Sequence, residues 1–420
     1  MKEFFNISDE TLELAKTAES ELSGQFNERD EITEYNQNKV LKAFIDNNVS
    51  ESCFNYTSGY GYDDKGRDTL EKVFAQIMCC EDAIIRHNFV SGTHTITVAL
   101  FGLLRPNDTL LSVAGMPYDT LRGVIGITEK DGSLMEFGVK YDQVDLNENG
   151  GIDYDALEQR LKKEFVKIAY VQRSRGYETR PSLTIAEIEK IAKLVKKVSP
   201  KTIVMVDNCY GEYVEKQEPC EVGADIIMGS LIKNPGGGIA PTGGYIAGRR
   251  DLIEKCANRL TCPGIGKEVG ASLGTSREMY LGVFNAPHVV GEAVKSATFA
   301  SKIFEMLGYE VTPKSDEKRT DIIQTIVLGE AQKLIGFCQG LQHGMPVEAY
   351  VSPEPWDMPG YEDPVIMSSG SFTAGATIEL SADGPIRPPY AAWMQGGLNF
   401  HSAKTGILLG IEAMKKASLN

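Results

Sequence analysis

An α/β fold is predicted by three features of this chain. Short, continuously apolar runs recur between about residues 70 and 250. Amphipathic helical stretches separate them. The runs lack strict polar alternation, as expected for strands buried on both faces of a mainly parallel sheet. Strand, helix and strand in repetition define the α/β class. A length of 420 residues exceeds one compact domain, so a second lobe is expected.

The elements follow in chain order. Residues 8–49 are predicted helical, with Leu12, Leu14 and Ala15 and then Val40, Leu41, Phe44 and Ile45 as intermittent apolar positions. Residues 56–66, rich in Gly, Tyr and Asp, read as a loop. Strands are predicted at 83–86, 109–113, 166–172, 202–207, 225–228 and 245–247. Between the third and fourth, Thr184 and Glu187 have the spacing of a capping box. Ile185, Ile188, Ala192 and Val195 then share one helical face, with Lys and Glu opposite. A further amphipathic helix over 287–307 leads toward a C-terminal lobe.

Charge and composition narrow the function. Lys and Arg number 43 against 58 Asp and Glu, a net charge of −15. Nucleic acid is an unsuitable partner for such a balance, because phosphate binding needs clustered cations. The first ten residues contain acids and no long apolar run, so no secretory signal is expected. No stretch approaches the roughly 20 apolar residues of a membrane span. The eight cysteines form no CxxC pair and read as reduced thiols of a cytoplasmic protein. Five scattered histidines without HExxH argue against a metal site. The chain also lacks GxxxxGK[ST], GxGxxG and GxSxG, which weakens the P-loop, Rossmann dinucleotide and α/β-hydrolase readings.

Three stretches hold candidate chemistry. Ser91-Gly92-Thr93-His94 follows a predicted strand and opens an apolar helix. A helix start of this kind favours a phosphate through its N–H groups and dipole, although Ser is also an ordinary N-cap. Asp207 ends a buried apolar run. Ligands of open α/β sheets bind beyond the carboxyl ends of strands, and an acid there can hold a proton on a ring nitrogen. The plainer reading is a turn-capping Asp. Ser230-Leu231-Ile232-Lys233 leads into Asn234-Pro235 and then Gly236, Gly237 and Gly238. A partly desolvated lysine can form a Schiff base, whereas most lysines are solvated surface residues. The order of the three, each after its own strand, favours the functional reading.

That order resembles the pyridoxal-phosphate enzymes of fold type I, in particular the cystathionine lyase and methionine γ-lyase group. The resemblance covers residues 55–285 well and the C-terminal part loosely. It implies a mainly parallel seven-stranded sheet between helices and a smaller α+β C-terminal domain. It implies an N-terminal helical arm and intersubunit segment over 1–70, a cofactor domain over 71–285 and a small domain over 286–420. By the same resemblance Gly92, Thr93 and Ser230 hold the phosphate of pyridoxal 5′-phosphate, Tyr118 stacks on its ring, and Ser91 and Tyr60 are further cofactor-binding residues. Asp207 pairs with the ring nitrogen, and Lys233 forms the internal aldimine.

More narrowly, four strings resemble the branch named for aluminium resistance. They are Tyr60-Gly61-Tyr62-Asp63-Asp64, Gln172-Arg173-Ser174-Arg175-Gly176-Tyr177, Asp207-Asn208-Cys209-Tyr210-Gly211-Glu212, and Glu379-Leu380-Ser381-Ala382-Asp383-Gly384-Pro385-Ile386-Arg387. Departures from the lyase pattern are specific. Ile232 stands where a second hydroxyl often precedes the lysine. Tyr60-Gly61-Tyr62 replaces the Tyr-x-Arg that reaches the neighbouring subunit's phosphate. Glu379 stands where an arginine for the substrate carboxylate precedes Leu-Ser. The carboxylate role passes to Arg387, with Arg175 in reserve, since a bidentate Arg is the expected clamp.

The activity so implied is carbon–sulfur lysis of an amino acid of the cystathionine, cysteine or methionine type, by β- or γ-elimination. Lys233 moves the α-proton, and Tyr118 serves the leaving sulfur. Transamination, γ-replacement and non-catalytic cofactor binding are alternatives on the same fold. The resemblance also implies a homodimer or homotetramer with sites shared between subunits.

Overall fold

A computed structural model describes residues 1–128, 130–176, 178, 180–358 and 363–417. The chain forms two compact units. The larger comprises Asn36–Leu231 and Ile239–Phe284; the smaller comprises Met1–Tyr35, Ile232–Gly238 and Asn285–Asn420. The first 70 residues are therefore shared between both units.

The N-terminal helices are α1 (Asp9–Glu21) and α2 (Ser23–Asp46). The larger unit continues with α3 (Lys65–Ile77), β1 (Asp82–Arg86), α4 (Gly92–Leu103), β2 (Thr109–Ser112), α5 (Asp119–Ile125) and β3 (Lys140–Gln143). Next come α6 (Tyr154–Lys163), β4 (Ile168–Gln172), α7 (Ile185–Val198), β5 (Ile203–Asp207), β6 (Ile226–Ser230), β7 (Gly244–Gly248) and α8 (Arg250–Leu260). Its seven strands are ordered β1-β7-β6-β5-β4-β2-β3. All neighbouring pairs are parallel except those of β7, which runs antiparallel to both β1 and β6. The six expected strands are present within about two residues. The seventh, β3, lies at the edge with half-exposed Tyr141, Asp142 and Gln143, so it presents no apolar run.

Tyr170, Met205, Met228 and Ile246 from four adjacent strands form one core layer with Ile96, Leu100 and Leu252 of the covering helices. Close packing there depends on Gly102. A Cβ at this position would lie 3.2 Å from Cys256 Cα on α8. The expected capping box of α7 is present, with both arms made. Its buried face is Ile185, Ile188, Ile191, Ala192 and Val195.

The smaller unit holds most of α9 (Ser276–Met306), then β8 (Glu310–Thr312), β9 (Ile323–Val327), α10 (Ala331–Gln342), β10 (Val365–Ser369), β11 (Ser381–Pro385), β12 (Ala391–Gln395) and α11 (Phe400–Ala417). Its five strands form an antiparallel sheet ordered β10-β11-β12-β9-β8. Ile326, Ala382 and Met394 on one face pack against Phe337, Leu341, Ile407 and Ile411. Helix α9 begins eleven residues before the start expected at Pro287, which lies in its interior. An interior proline costs roughly 3 kcal/mol. Burial of Val283, Ala286 and Val290 around it outweighs that cost. Among the described residues, no helix is long and apolar enough to cross a membrane.

Candidate active site

Strands β4, β5 and β6 are parallel neighbours, so their carboxyl ends open along one edge of the sheet. Asp207 ends β5 and Ser230 ends β6. Helix α4 starts at the same edge. A Cβ built on Gly92 would lie 3.4 Å from Ser230 Cβ and 3.6 Å from Cys209 Sγ. Residues more than a hundred positions apart in the sequence thus meet at the first turn of one helix.

Ser91 caps this helix start. Its hydroxyl accepts the His94 N–H at 3.0 Å, as an N-cap does. The first amides of an α-helix have no acceptor within the helix, and α4 has no acid in its first turn to neutralise them. Thr93 Oγ1 lies 3.0 Å from the Tyr118 hydroxyl and 2.9 Å from Thr120 Oγ1. The amides at Gly92 and Thr93 and the Thr93 and Ser230 hydroxyls are the groups at this corner that could hold a phosphate monoester.

Asp207 is buried, with 6% of its surface exposed. Its Oδ1 accepts the Cys209 N–H at 3.1 Å, and its Oδ2 accepts the Tyr170 hydroxyl at 3.4 Å. Burial first, and then the Asp207 charge, push the Tyr170 phenol well above its ordinary range, so Tyr170 serves as a neutral donor. Tyr118 precedes α5, and its N–H donates to Gln172 Oε1 at 2.9 Å. Gln172 Nε2 in turn donates to the Ser174 carbonyl at 2.9 Å. A strand-end carboxylate of this kind suits a protonated ring nitrogen, and Tyr118 offers an aromatic face tied to the same helix start.

Lys233 follows Ser230 by three residues and is half-buried, at the head of a single 3-10 turn over Asn234–Gly236. Gly237 and Gly238 have φ of +55° and +69°, a region that favours glycine. A Cβ on Gly238 would come within 2.3 Å of Leu398 Cδ2. The glycine run therefore lets the lysine segment turn tightly and seat on Leu398. On its other side, a Cβ on Gly375 would lie 3.7 Å from Ile232 Cδ1.

The remaining candidates are placed as follows. Arg387 is about half exposed and ion-pairs with Asp363 at 3.0 Å, in the smaller unit. Arg175 is buried, and its N–H donates to Ser182 Oγ at 3.1 Å. Next to it, a Cβ on Gly176 would lie 3.9 Å from Tyr118 Cβ. Tyr60 is exposed and its ring lies 5.6 Å from that of Tyr62. Tyr177 lies outside the described residues. Two further residues are placed by the fold: Arg67, which the sequence did not single out, and Glu379, known from the sequence only as a departure from the lyase pattern. Arg67 is buried and donates to the Gly61 and Gly270 carbonyls at 2.7 and 3.1 Å, so it pins the loop that carries Tyr60. Glu379 is buried, and its two oxygens accept the Phe372 and Thr373 N–H groups, each at 2.9 Å. The acid that stands where the resembling lyases place an arginine is a loop clamp.

Comparison with known proteins decides the family. The methionine gamma-lyase family model matches residues 11–415. The chain belongs to the methionine gamma-lyase family. It is 48% identical over 411 residues to the uncharacterized protein YnbB of Bacillus subtilis, covering 97% of both chains. A solved structure from Clostridium novyi NT, described as a carbon-sulfur lyase involved in aluminum resistance, is 51% identical with a TM-score of 0.93, over 96% of each chain. The pyridoxal-5′-phosphate-dependent protein YhfS of Escherichia coli shares the fold at 16% identity and a TM-score of 0.63, over 93% of this chain and 97% of that one. The architecture is thus the fold-type I fold of this enzyme family.

Proposed function

We propose that this protein is a pyridoxal-phosphate-dependent carbon–sulfur lyase acting on a sulfur-containing amino acid. One observation carries the reading: the first turn of α4, Ser230 and the buried Asp207 meet at one sheet edge, three residues before a half-buried lysine. Gly92, Thr93 and Ser230 would hold the phosphate, Tyr118 the ring face and Asp207 the ring nitrogen. Lys233 would be the covalent attachment point. The bound cofactor supplies an electron sink for a substrate carbanion.

The protein's own part is proton handling and orientation. Lys233, released as a neutral amine when the substrate amine takes its place, would take the proton from the substrate α-carbon. The Tyr118 hydroxyl, fixed by Thr93, donates a proton to the departing sulfur. The carbon–sulfur bond breaks with its electron pair on sulfur, and water completes the release of an oxo acid and ammonia. Arg175, buried and adjacent to the Tyr118 environment, is proposed for the substrate carboxylate ahead of Arg387, which lies about half exposed in the smaller unit. Exposed Tyr60 and Tyr62 are proposed to face a second copy in a cytoplasmic homodimer or homotetramer.

The test is incubation of the purified holoprotein with cystathionine, cysteine and methionine. Release of thiol or sulfide with ammonia and pyruvate or 2-oxobutanoate is expected. Conversion of an added oxo acid into an amino acid, without thiol release, would instead identify an aminotransferase.

A further inference from the structure

Behind Asp207 lies a buried polar cluster that the proposed reaction does not use. Arg173 directly follows β4, and its side chain is 0% exposed. Its Nη1 donates to Asn208 Oδ1 at 2.7 Å, and its Nη2 donates to Glu215 Oε1 at 3.3 Å. Glu218 Oε2 lies 4.0 Å from Nη1 and accepts the Asn208 Nδ2 donor at 3.0 Å. The acids are held in turn: Glu215 Oε1 accepts the Ile185 N–H and Glu218 Oε1 accepts the Tyr213 N–H, each at 2.9 Å. A Cβ on Gly211 would come within 2.4 Å of the guanidinium, so a bare backbone is required beneath it.

Main-chain bonds lock the same corner. Arg173 N–H donates to the Asp207 carbonyl at 3.1 Å, and Asn208 N–H donates to the Met228 carbonyl at 3.0 Å. On the carboxylate itself, Tyr170 donates to Oδ2 and the Cys209 N–H to Oδ1. Buried charges are costly unless the geometry is good and every lone pair finds a donor. Here that costly set encloses the peptide that carries one functional carboxylate.

We infer that Tyr170 and Arg173 are positioning residues for Asp207. The Tyr170 hydroxyl fixes one carboxylate oxygen, and the Arg173 fork, through Asn208, fixes the peptide to which the carboxylate is attached. This inference rests on the reading of Asp207 as the ring-nitrogen partner. A carboxylate aimed by two donors keeps its charge and its direction for a third donor, the ring N–H. Lys at position 173 would keep the charge and lose the planar fork.

The experiment uses the holoenzyme reconstituted with pyridoxal phosphate labelled with ¹⁵N at the ring nitrogen, read by ¹⁵N NMR together with the cofactor dissociation constant. Tyr170→Phe is expected to move the ring-nitrogen signal toward that of a neutral pyridine. It should also lower kcat about tenfold with KM little changed, the scale of one hydrogen bond to a charged group. Asn208→Ala, and the charge-balanced pair Arg173→Met with Glu215→Gln, should weaken cofactor binding by about tenfold or more while circular dichroism stays that of the parent. Asn208→Ala leaves the Arg173–Glu215 pair intact, so it decides the arginine half if the double variant fails to fold.

If Asp207→Asn leaves the ring-nitrogen signal unchanged, the reading of Asp207 fails and the inference fails with it. If Asp207→Asn moves the signal while Tyr170→Phe and Asn208→Ala move neither signal nor affinity, the positioning inference is overturned and Asp207 keeps its role.

Discussion

Helices α4 and α7 begin with the same local chemistry and spend it differently. Each has a hydroxyl N-cap: Ser91 accepts from His94 N–H, and Thr184 accepts from Glu187 N–H. Helix α7 adds Glu187, whose carboxylate returns to the Thr184 N–H at 2.8 Å and sets a negative charge on the positive end of the helix. Helix α4 has no acid in its first turn and instead meets Ser230 and the Asp207–Cys209 corner. A helix start that neutralises itself is structural. One that leaves its amides and dipole facing a convergent set of hydroxyls suits the phosphate role proposed for α4.

The largest test of that contrast removes what the α4 site is proposed to serve. Lys233→Ala is expected to lower oxo acid release by roughly 10³-fold or more, the range of a lost general base. The absorbance of the lysine-linked cofactor should vanish with it. A variant that still releases thiol at the parent rate would remove Lys233 from the chemistry.

Gly92→Asp gives α4 the acid it lacks. The neighbours at 3.4 and 3.6 Å are at ordinary contact distance for the added Cβ. The cofactor dissociation constant should rise by about tenfold or more through charge repulsion, while the apoprotein gains up to about 1 kcal/mol from the dipole. Opposite signs in a binding titration and a melting curve are the expected signature. Equal affinity in the variant would show that α4 starts no differently from α7.

Glu379→Ala extends the comparison to a carboxylate that clamps a loop. Two charge-assisted bonds to Phe372 and Thr373 are lost, and a destabilisation of about 2–3 kcal/mol is expected by denaturant unfolding. If stability is unchanged but substrate KM rises sharply, Glu379 meets substrate instead. The smallest effect belongs to α7. Thr184→Ala should cost about 1 kcal/mol of stability with cofactor affinity and turnover unchanged. A loss of cofactor affinity would contradict its purely structural assignment.

The legible parts of the molecule are those whose signals are local. The α4 start, the strand-end Asp207 and the Ser230–Lys233 spacing are each written within a few residues, and their order along the chain links them. The α7 box and the buried parallel strands are legible for the same reason. The five antiparallel strands of the smaller unit gave no such signal. Strand β11, Ser-Ala-Asp-Gly-Pro, is composed of residues that usually mark turns, and only its neighbours β10 and β12 make it a strand. The role of Arg173 was hidden because Asn208, Glu215 and Glu218 reach it only after β4 and β5 pair. Glu379 showed that an arginine position had changed sign, but the two loop amides it binds appear only in three dimensions. Helix α9 was shortened by the expectation that Pro287 begins a helix, which holds where packing does not override it.

The most direct test of the account is borohydride reduction of the purified protein loaded with pyridoxal phosphate, followed by peptide mass mapping. The account predicts a phosphopyridoxyl mass on the peptide that contains Lys233 and on no other. A protein that acquires no such mass, or acquires it on a different lysine, would contradict the proposed active site.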